Sequence, residues 1–255
     1  MYSCVLFDMD GTLINSYAGI FHGYQRAFAQ LGENFPGEDL VRRAIGAPLP
    51  EVFERLCGFR PEQTRMAVRY YRQYYDEKGK HEAFAYAGIA DTLCRLKAAG
   101  YFLGTATLKK EAFALEMLEE LELLPYFDAV CGADADGRLA KADLIQMGMG
   151  RAGARPQQTV LVGDSLYDAK GARQAGVAFL AVTYGFGFRS AERGPAGARR
   201  IHGGQEPRRK LPVCCAREQH TLLGKYRAAP CAQPCCSYRA SQVTAQLKKL
   251  RLPHK

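Results

Sequence analysis

The sequence predicts an α/β fold, namely a doubly wound, Rossmann-like parallel sheet with an inserted all-helical cap domain. Two observations lead to this prediction. From Tyr86 to Val182, short apolar strands alternate with amphipathic helices, a pattern typical of a parallel sheet covered on both faces. A block of purely helical spacing separates the first strand from this alternating part. The helical block is therefore interpreted as an insertion into the sheet domain.

The first strand runs directly into a pair of carboxylates, in the stretch Val5-Leu6-Phe7-Asp8-Met9-Asp10-Gly11-Thr12-Leu13. Because side chains alternate along a strand, Asp8 and Asp10 are expected to leave it on the same side. Two negative charges held that close are costly unless a cation lies between them. The stretch thus predicts metal-assisted chemistry at the C-terminal edge of a buried strand, with an ordinary acidic turn as the alternative.

The predicted sheet domain comprises residues 1–15 and 85–188, and the predicted cap comprises residues 16–84. Apolar spacing predicts cap helices over Gly19–Leu31, Glu38–Ala44, Leu49–Leu56 and Pro61–Tyr75. The tyrosines of the last helix are expected to pack helix against helix rather than to bind a ligand. These tyrosines are Tyr70, Tyr71, Tyr74 and Tyr75.

The second part of the sheet domain is predicted as alternating helices and strands. The predicted helices are Gly88–Ala99, Glu111–Leu121, Lys141–Arg151 and Asp168–Ala175. The predicted strands are Tyr101–Ala106, Phe127–Cys131, Thr159–Val162 and Ala178–Val182. Since ligands of such sheets bind beyond the carboxyl ends of the strands, the residues that follow each strand are the candidates for function.

Three stretches besides the first carry candidate side chains at that edge. Thr107 follows a strand and offers a hydroxyl to a phosphate oxygen, although threonine is also a routine strand residue. Lys141 begins a helix, where a cation opposes the helix dipole unless an anion such as phosphate lies beside it. An apolar strand ends in Gly163-Asp164, and Asp168 follows at a helix start, either as a cap or as a metal ligand.

These features, in this order, resemble the haloacid dehalogenase-like hydrolase superfamily, whose pattern is Asp-x-Asp-Gly-Thr, then Thr or Ser, then Lys, then Gly-Asp-x-x-x-Asp. The closer likeness is to its phosphoglycolate phosphatase-like branch with a helical cap. Ser16-Tyr17-Ala18-Gly19-Ile20, Ile45-Gly46-Ala47-Pro48-Leu49 and Tyr184-Gly185-Phe186-Gly187 look like that branch. One departure is Leu108 after Thr107, where the family often has Ser or Asn.

The resemblance implies a Mg²⁺-dependent phosphatase that forms an aspartyl-phosphate. Asp8 would attack phosphorus and Asp10 would act as acid and then as base. Thr107 and Lys141 would bind the phosphoryl oxygens. The implied metal residues are Asp8, Asp10 through its carbonyl, Asp164 and Asp168. The expected partner is a small phosphate ester such as 2-phosphoglycolate.

Three other functions stay open at this point. A 5′-nucleotidase-like phosphatase would use the same residues, because the cap decides the substrate. A sugar-phosphate mutase would use the same aspartate pair. An impaired enzyme acting as a binding protein is the alternative outside catalysis. An acid at Asp10 favours phosphatase or mutase over the related dehalogenases, which lack it.

Composition predicts a cytoplasmic protein with no membrane association. Hydrophobic residues make up 47% of the 255 residues, yet no apolar run approaches a membrane span and Met1-Tyr2-Ser3-Cys4 lacks a basic signal start. The net charge of +9 is confined to the C-terminal part. Residues 189–255 hold 15 Lys and Arg against 3 Asp and Glu, whereas residues 1–188 hold 20 against 23.

Residues 189–255 form an atypical basic, cysteine-rich tail, with five of the nine cysteines between Cys214 and Cys236. A metal module is disfavoured because the cysteines lack paired zinc spacing, and nucleic-acid binding is disfavoured because no recognition motif accompanies the charge. We expect the tail to be poorly ordered or translated out of frame. The family's final strand and helix would then be lost and the sheet edge exposed.

Overall fold

The computed structural model describes residues 2–134, 137–188 and 199–201, and it confirms the predicted fold class. Its strands are β1 (Cys4–Phe7), β2 (Ile14–Asn15), β3 (Phe84–Ala85), β4 (Phe102–Thr105), β5 (Thr107–Lys110), β6 (Gly132–Ala133), β7 (Thr159–Gly163), β8 (Ala178–Val182) and β9 (Arg199–Ile201). The main sheet is parallel, with strand order β4-β1-β7-β8-β9. Strands β5 and β6 pair in parallel beside it, and β2 and β3 form a short antiparallel pair.

Helices cover both faces of the sheet, and the alternation along β1 shows why. Val5 and Phe7 pack into one apolar cluster, and Cys4 and Leu6 pack into another. The helices are α1 (Tyr17–Leu31), α2 (Glu38–Ala44), α3 (Leu49–Glu51), α4 (Pro61–Glu77), α5 (Ile89–Ala98), α6 (Glu111–Glu120), α7 (Lys141–Ala152) and α8 (Leu166–Ala175). The first cluster includes residues of α5 and α6, and the second includes residues of α7 and α8. Burial on both faces explains the apolar sequence of β1.

Helices α1 to α4 lie between β2 and β3 in the chain, at the position predicted for the cap. Their interior is aromatic, with ring centroids of Tyr24 and Tyr71 4.9 Å apart and those of Tyr24 and Phe53 5.4 Å apart. Val52–Leu56, predicted as part of a helix from Leu49, forms a π-helical turn instead. The residue limits of the core, cap and tail stay predictions.

The predicted strand Phe127–Cys131 is replaced by a single bridge at Ala129 and by β6, which begins one residue later. Side-chain hydrogen bonds supplement the remaining backbone pairing in this segment. Thr105 Oγ1 accepts a hydrogen bond from Cys131 N at 2.9 Å and donates to Cys131 O at 3.2 Å. The Asp128 carboxylate accepts from Leu103 N at 2.9 Å. Apolar patterning alone does not reveal such a replacement.

In the tail, Arg199–Ile201 form β9, which pairs in parallel with β8 at the edge of the sheet. Leu180 is opposite Arg199, and Val182 is opposite Ile201. A strand therefore lies at the edge that the tail prediction left exposed. Residues 189–198 and 202–255, on which the rest of that prediction falls, lie outside the described residues. In the part of the chain that the structure describes, no helix is long and apolar enough to cross a membrane.

The pairing role of Thr105 predicts a specific stability effect. Thr105→Val keeps the side-chain volume but leaves the buried Cys131 N–H without its acceptor, so we expect the free energy of unfolding to fall by about 1–3 kcal/mol. The matched control is Thr64→Val in α4, because the buried Thr64 hydroxyl has no hydrogen-bond partner within the described residues. Chemical denaturation measures both, and equal effects of the two substitutions would contradict the pairing role.

Candidate active site

Asp8 lies just beyond the end of β1, at the carboxyl edge of the sheet. Its backbone N–H donates to Val162 O at 2.9 Å, which extends the pairing with β7 by one residue. The residue is only 4% exposed, and Asp8 Oδ1 lies 2.7 Å from Lys141 Nζ. Sheet pairing therefore fixes the backbone of Asp8, and a buried lysine holds its carboxylate.

Lys141 is the first residue of α7 and is almost fully buried. Its ammonium contacts Asp8 Oδ1 at 2.7 Å, Asp168 Oδ1 at 2.7 Å and Ala106 O at 2.9 Å. Burial alone lowers the pKa of Lys141, but Asp168 and Asp8 outweigh it and the pKa is raised. The two carboxylates thus explain a cation at a helix start, and a phosphate is not required to account for it.

Asp164 and Asp168 lie where β7 passes into α8. Asp164 Oδ2 accepts hydrogen bonds from Phe186 N at 2.7 Å and Gly187 N at 3.1 Å. Asp168 Oδ2 accepts from Ser165 N at 3.0 Å and from Ser165 Oγ at 2.6 Å. Ser165 is the N-cap of α8, so the helix begins two residues earlier than predicted. Oδ2 of Asp168 therefore stabilises the start of α8. Its Oδ1 contacts the ammonium of Lys141.

Three glycines leave room for these carboxylates. A Cβ on Gly11 would lie 2.3 Å from Asp164 Oδ2, and one on Gly185 would lie 2.4 Å from the same atom. A Cβ on Gly163 would lie 2.5 Å from Asp168 Cγ. Gly11 also has a φ of +84°, a backbone conformation that residues other than glycine rarely adopt. Glycine at these positions lets the backbone approach the carboxylates closely.

The Asp8, Asp164 and Asp168 carboxylates form a cluster that fits a divalent cation. Each offers an oxygen within 4.8 Å of the others, and all three are buried. Hard oxygen ligands of this kind suit Mg²⁺. Burial, aided by Asp168 and opposed by Lys141, raises the pKa of Asp8 to about 7. Burial, with Asp168 and then Asp8, also raises the pKa of Asp164.

The Asp10 carboxylate is not part of this cluster of three. Asp10 Oδ2 lies 3.2 Å from Lys109 Nζ, and Asp10 Oδ1 accepts a short hydrogen bond from Ser16 Oγ. Each aspartate therefore has its own lysine. The chain turns after Met9, and the Asp8 and Asp10 side chains line the same cavity.

Thr107, the first residue of β5, is brought to the same cavity as Asp8 and Lys141. Its side chain is buried, and Thr107 Oγ1 accepts a hydrogen bond from Lys109 N at 3.2 Å. Thr107 N donates to Cys131 O at 3.1 Å, which attaches this strand to the segment before β6. All six predicted site residues therefore lie around one edge of the sheet.

Two site residues escaped the sequence reasoning, namely Lys109 and Tyr75. Lys109 lies two residues after Thr107, and alternation along β5 was the available signal that both face one side. Tyr75 does pack in the cap, as predicted, but its hydroxyl also accepts a hydrogen bond from Lys109 Nζ. Helical spacing predicts that Tyr75 packs against other helices, but it does not predict that the hydroxyl reaches the cavity.

The site opens into a cavity of about 150 Å³ between the sheet edge and the cap helices. Asp8, Asp10, Thr107 and Lys141 line one side. The cap contributes mainly apolar and aromatic side chains, among them Ile20, Tyr24, Tyr71 and Tyr75, and also the charged Arg72. The cavity thus combines a polar end, where the carboxylates and lysines meet, with a cap wall that carries one arginine.

Residues 5–182 match the haloacid dehalogenase-like hydrolase family. The chain belongs to that family. In this haloacid dehalogenase-like hydrolase, Asp8 and Asp164 directly follow the adjacent strands β1 and β7. This adjacency brings distant stretches of the sequence into one site.

Relatives within the family support a phosphoric monoester hydrolase. The chain is 34% identical to a 5′-nucleotidase of Pseudomonas aeruginosa over 73% of its length and 85% of that protein. It is 30% identical to a phosphoglycolate phosphatase of Shigella boydii over 73% of its length and 83% of that protein. A crystal structure of a predicted phosphatase from Clostridium acetobutylicum is 34% identical, with a TM-score of 0.75 over 80% of this chain and 94% of that one.

The position of Lys141 depends on a glycine of α8, which yields a test. A Cβ on Gly171 would lie 2.4 Å from Lys141 Cγ, whereas one on Gly150 of α7 would meet nothing within 4 Å. We expect Gly171→Ala to destabilise the protein by about 1–3 kcal/mol through overpacking. Gly150→Ala should instead be neutral or add up to about 1 kcal/mol. Denaturant titration of both variants compares them, and a harmless Gly171→Ala would contradict the packing described.

The raised pKa values of Asp8 and Asp164 predict that cation binding releases protons. A cation binds the ionised carboxylates, so Mg²⁺ should displace about one proton at about pH 6, and fewer as the pH rises. Isothermal titration calorimetry in buffers of different ionisation enthalpy measures this number. Asp164→Asn should abolish most of the binding. Proton release that is absent at low pH, or that grows with pH, would contradict the described electrostatics.

Proposed function

We propose that this chain is a Mg²⁺-dependent phosphatase that hydrolyses a small phosphorylated metabolite through an aspartyl-phosphate at Asp8. The observation that carries the proposal is the burial of Asp8 at the sheet edge, with Lys141 Nζ 2.7 Å away and the cavity in front of it. A carboxylate so placed is a nucleophile held in one orientation. The family membership and the phosphatase relatives support the same reaction.

Asp8 is the nucleophile in this proposal, and two residues hold the phosphoryl group. Lys141 supplies a permanent positive charge beside the attacking carboxylate, and Thr107 supplies a hydroxyl at the start of β5. Both groups stabilise negative charge on the phosphoryl oxygens as the bond to the leaving oxygen lengthens. Asp168 keeps Lys141 oriented, because its Oδ1 lies 2.7 Å from Lys141 Nζ.

Asp10 is the general acid and then the general base of this mechanism. As an acid it gives its proton to the leaving oxygen while Asp8 bonds to phosphorus, and it remains as a carboxylate. As a base it then takes a proton from the water that attacks the aspartyl-phosphate, which regenerates the acid and frees Asp8. Asp10 lines the cavity but stands apart from the carboxylate cluster, as this separate role requires.

Mg²⁺ would be held by Asp8, Asp164 and the Asp10 carbonyl, and when bound it supplies positive charge that offsets the carboxylates and the phosphate. Asp168 has both oxygens engaged by Lys141 and Ser165, so its part in the metal site is to orient neighbouring groups. The Asp164 carboxylate is fixed by the Phe186 and Gly187 N–H groups. These contacts hold the ligand oxygens in place before a metal binds.

The size of the cavity favours a small substrate. Its volume of about 150 Å³ is below the roughly 300–1,000 Å³ usual for drug-sized ligands. A two- or three-carbon phosphate ester such as 2-phosphoglycolate fits this size better than a mononucleotide. The second candidate is 5′-nucleotidase activity, which the similarity to the Pseudomonas aeruginosa protein supports.

The nucleophile assignment predicts unequal effects of the two aspartates. Asp8→Asn should lower the hydrolysis of p-nitrophenyl phosphate by about 10³-fold or more, since the attacking carboxylate is lost. Asp10→Asn should retain slow formation of the phosphorylated protein, because Asp8 is intact. Phosphate release and acid-quenched protein-bound phosphate are the two measurements. Undiminished hydrolysis by Asp8→Asn would refute the mechanism.

The substrate assignment predicts a ranked response in a panel of phosphorylated metabolites. Phosphoglycolate and other small esters should have a kcat/KM above that of 5′-mononucleotides, with release dependent on Mg²⁺ and abolished by chelation. Phosphate release by the purified full chain, with and without Mg²⁺, makes this comparison. A preference for mononucleotides would select the 5′-nucleotidase alternative, and transfer to a second hydroxyl instead of water would indicate a mutase.

A further inference from the structure

We propose that Lys109 positions the Asp10 carboxylate for proton transfer, and that Tyr75 of the cap holds Lys109 in place. This inference rests on the proposed function, in which Asp10 is the acid and base. The proposed mechanism gives neither residue a part in binding the phosphoryl group or the metal. Their contacts connect Asp10 with the cap and account for a buried lysine that has no other role in the mechanism.

The Asp10 carboxylate is held at both oxygens. Lys109 Nζ lies 3.2 Å from Oδ2, and Ser16 Oγ donates to Oδ1. The Lys109 side chain is only 5% exposed, so water does not compete strongly for its ammonium. A carboxylate fixed at both oxygens keeps one orientation in the cavity, which proton transfer to a leaving oxygen requires.

Lys109 is in turn fixed from the cap. The Tyr75 hydroxyl on α4 accepts a hydrogen bond from Lys109 Nζ, and the ammonium lies 4.4 Å from the centroid of the Tyr75 ring. Tyr75 is 3% exposed, and its hydroxyl is 3.8 Å from Met117 Sδ on α6. A buried ammonium without such partners would be costly. The position of Lys109 therefore depends on the cap helix that carries Tyr75.

The two buried lysines keep the two aspartates in separate roles. Lys141 contacts the carboxylates of Asp8 and Asp168. Lys109 contacts the carboxylate of Asp10 and the hydroxyl of Tyr75. Without the ammonium of Lys109, the Asp10 carboxyl keeps only the Ser16 contact among those described and is free to turn. The activity is therefore expected to fall because the leaving group is protonated less efficiently. An alkoxide leaving group needs that proton, whereas p-nitrophenolate departs readily without it.

The test measures kcat/KM, which reports phosphoryl transfer, for an alkyl phosphate and for p-nitrophenyl phosphate. The variants are Lys109→Met, which removes the charge at similar length, Lys109→Arg, which keeps it, and Tyr75→Phe, which removes only the hydroxyl. The matched controls are Lys170→Met, at an exposed position on α8, and Tyr70→Phe, on the same helix as Tyr75. Thermal unfolding of every variant identifies any that fails to fold.

We expect Lys109→Met to lower kcat/KM for the alkyl phosphate by about 10²-fold and for p-nitrophenyl phosphate by less than about threefold. Tyr75→Phe should show the same selectivity with a smaller loss, and Lys109→Arg should recover part of the activity. Equal losses on both esters, or no loss, in folded variants would overturn the proposal. Asp10→Asn is assayed alongside. If it too lacks selectivity for the alkyl ester, the acid assignment itself fails, and if it alone is selective, only the role of Lys109 fails.

Discussion

The contact of Lys141 with Asp8 and Asp168 is the interaction on which the rest of the site depends. Three carboxylates are buried within 4.8 Å of one another, an arrangement that electrostatic repulsion opposes in a dry interior. The ammonium of Lys141 lies 2.7 Å from two of them and offsets part of that repulsion. A cation held by Asp8 and Asp164 would offset more. Burial first, and then the charge of Asp168, raise the pKa of Asp8 and the pKa of Asp164, and Lys141 opposes this rise at Asp8.

The order of the strands brings Lys141, Asp8 and Asp168 together. Strand β1 lies between β4 and β7, so the residues that follow each of them meet at one edge. Helix α7 begins at that edge with Lys141, and the loop after β8 returns its backbone N–H groups to Asp164. Helix α8 contributes Gly171, whose missing side chain leaves space for the Lys141 stem. The acidic site thus depends on close packing of small residues as much as on charge.

Much of this arrangement could be predicted from the sequence, because it follows from local rules. Apolar strands followed by Asp8 and Asp164 predicted both the sheet and the edge at which the carboxylates meet. The predicted strand Phe127–Cys131 was wrong, because only Ala129 forms a bridge there and side chains such as Thr105 supply part of the pairing. The partnership of Lys109 with Tyr75 joins residues 34 positions apart and depends on how the cap packs, which periodicity does not encode.

The central claim is that Asp8 carries the phosphoryl group during turnover. Rapid acid quench of the full chain reacting with a small phosphate ester and Mg²⁺, followed by borohydride reduction and peptide mass spectrometry, tests it directly. Reduction of an acyl phosphate converts the aspartate to homoserine, so we expect this change at Asp8 alone. Modification at another residue, or turnover without any modified peptide at Asp8, would contradict it.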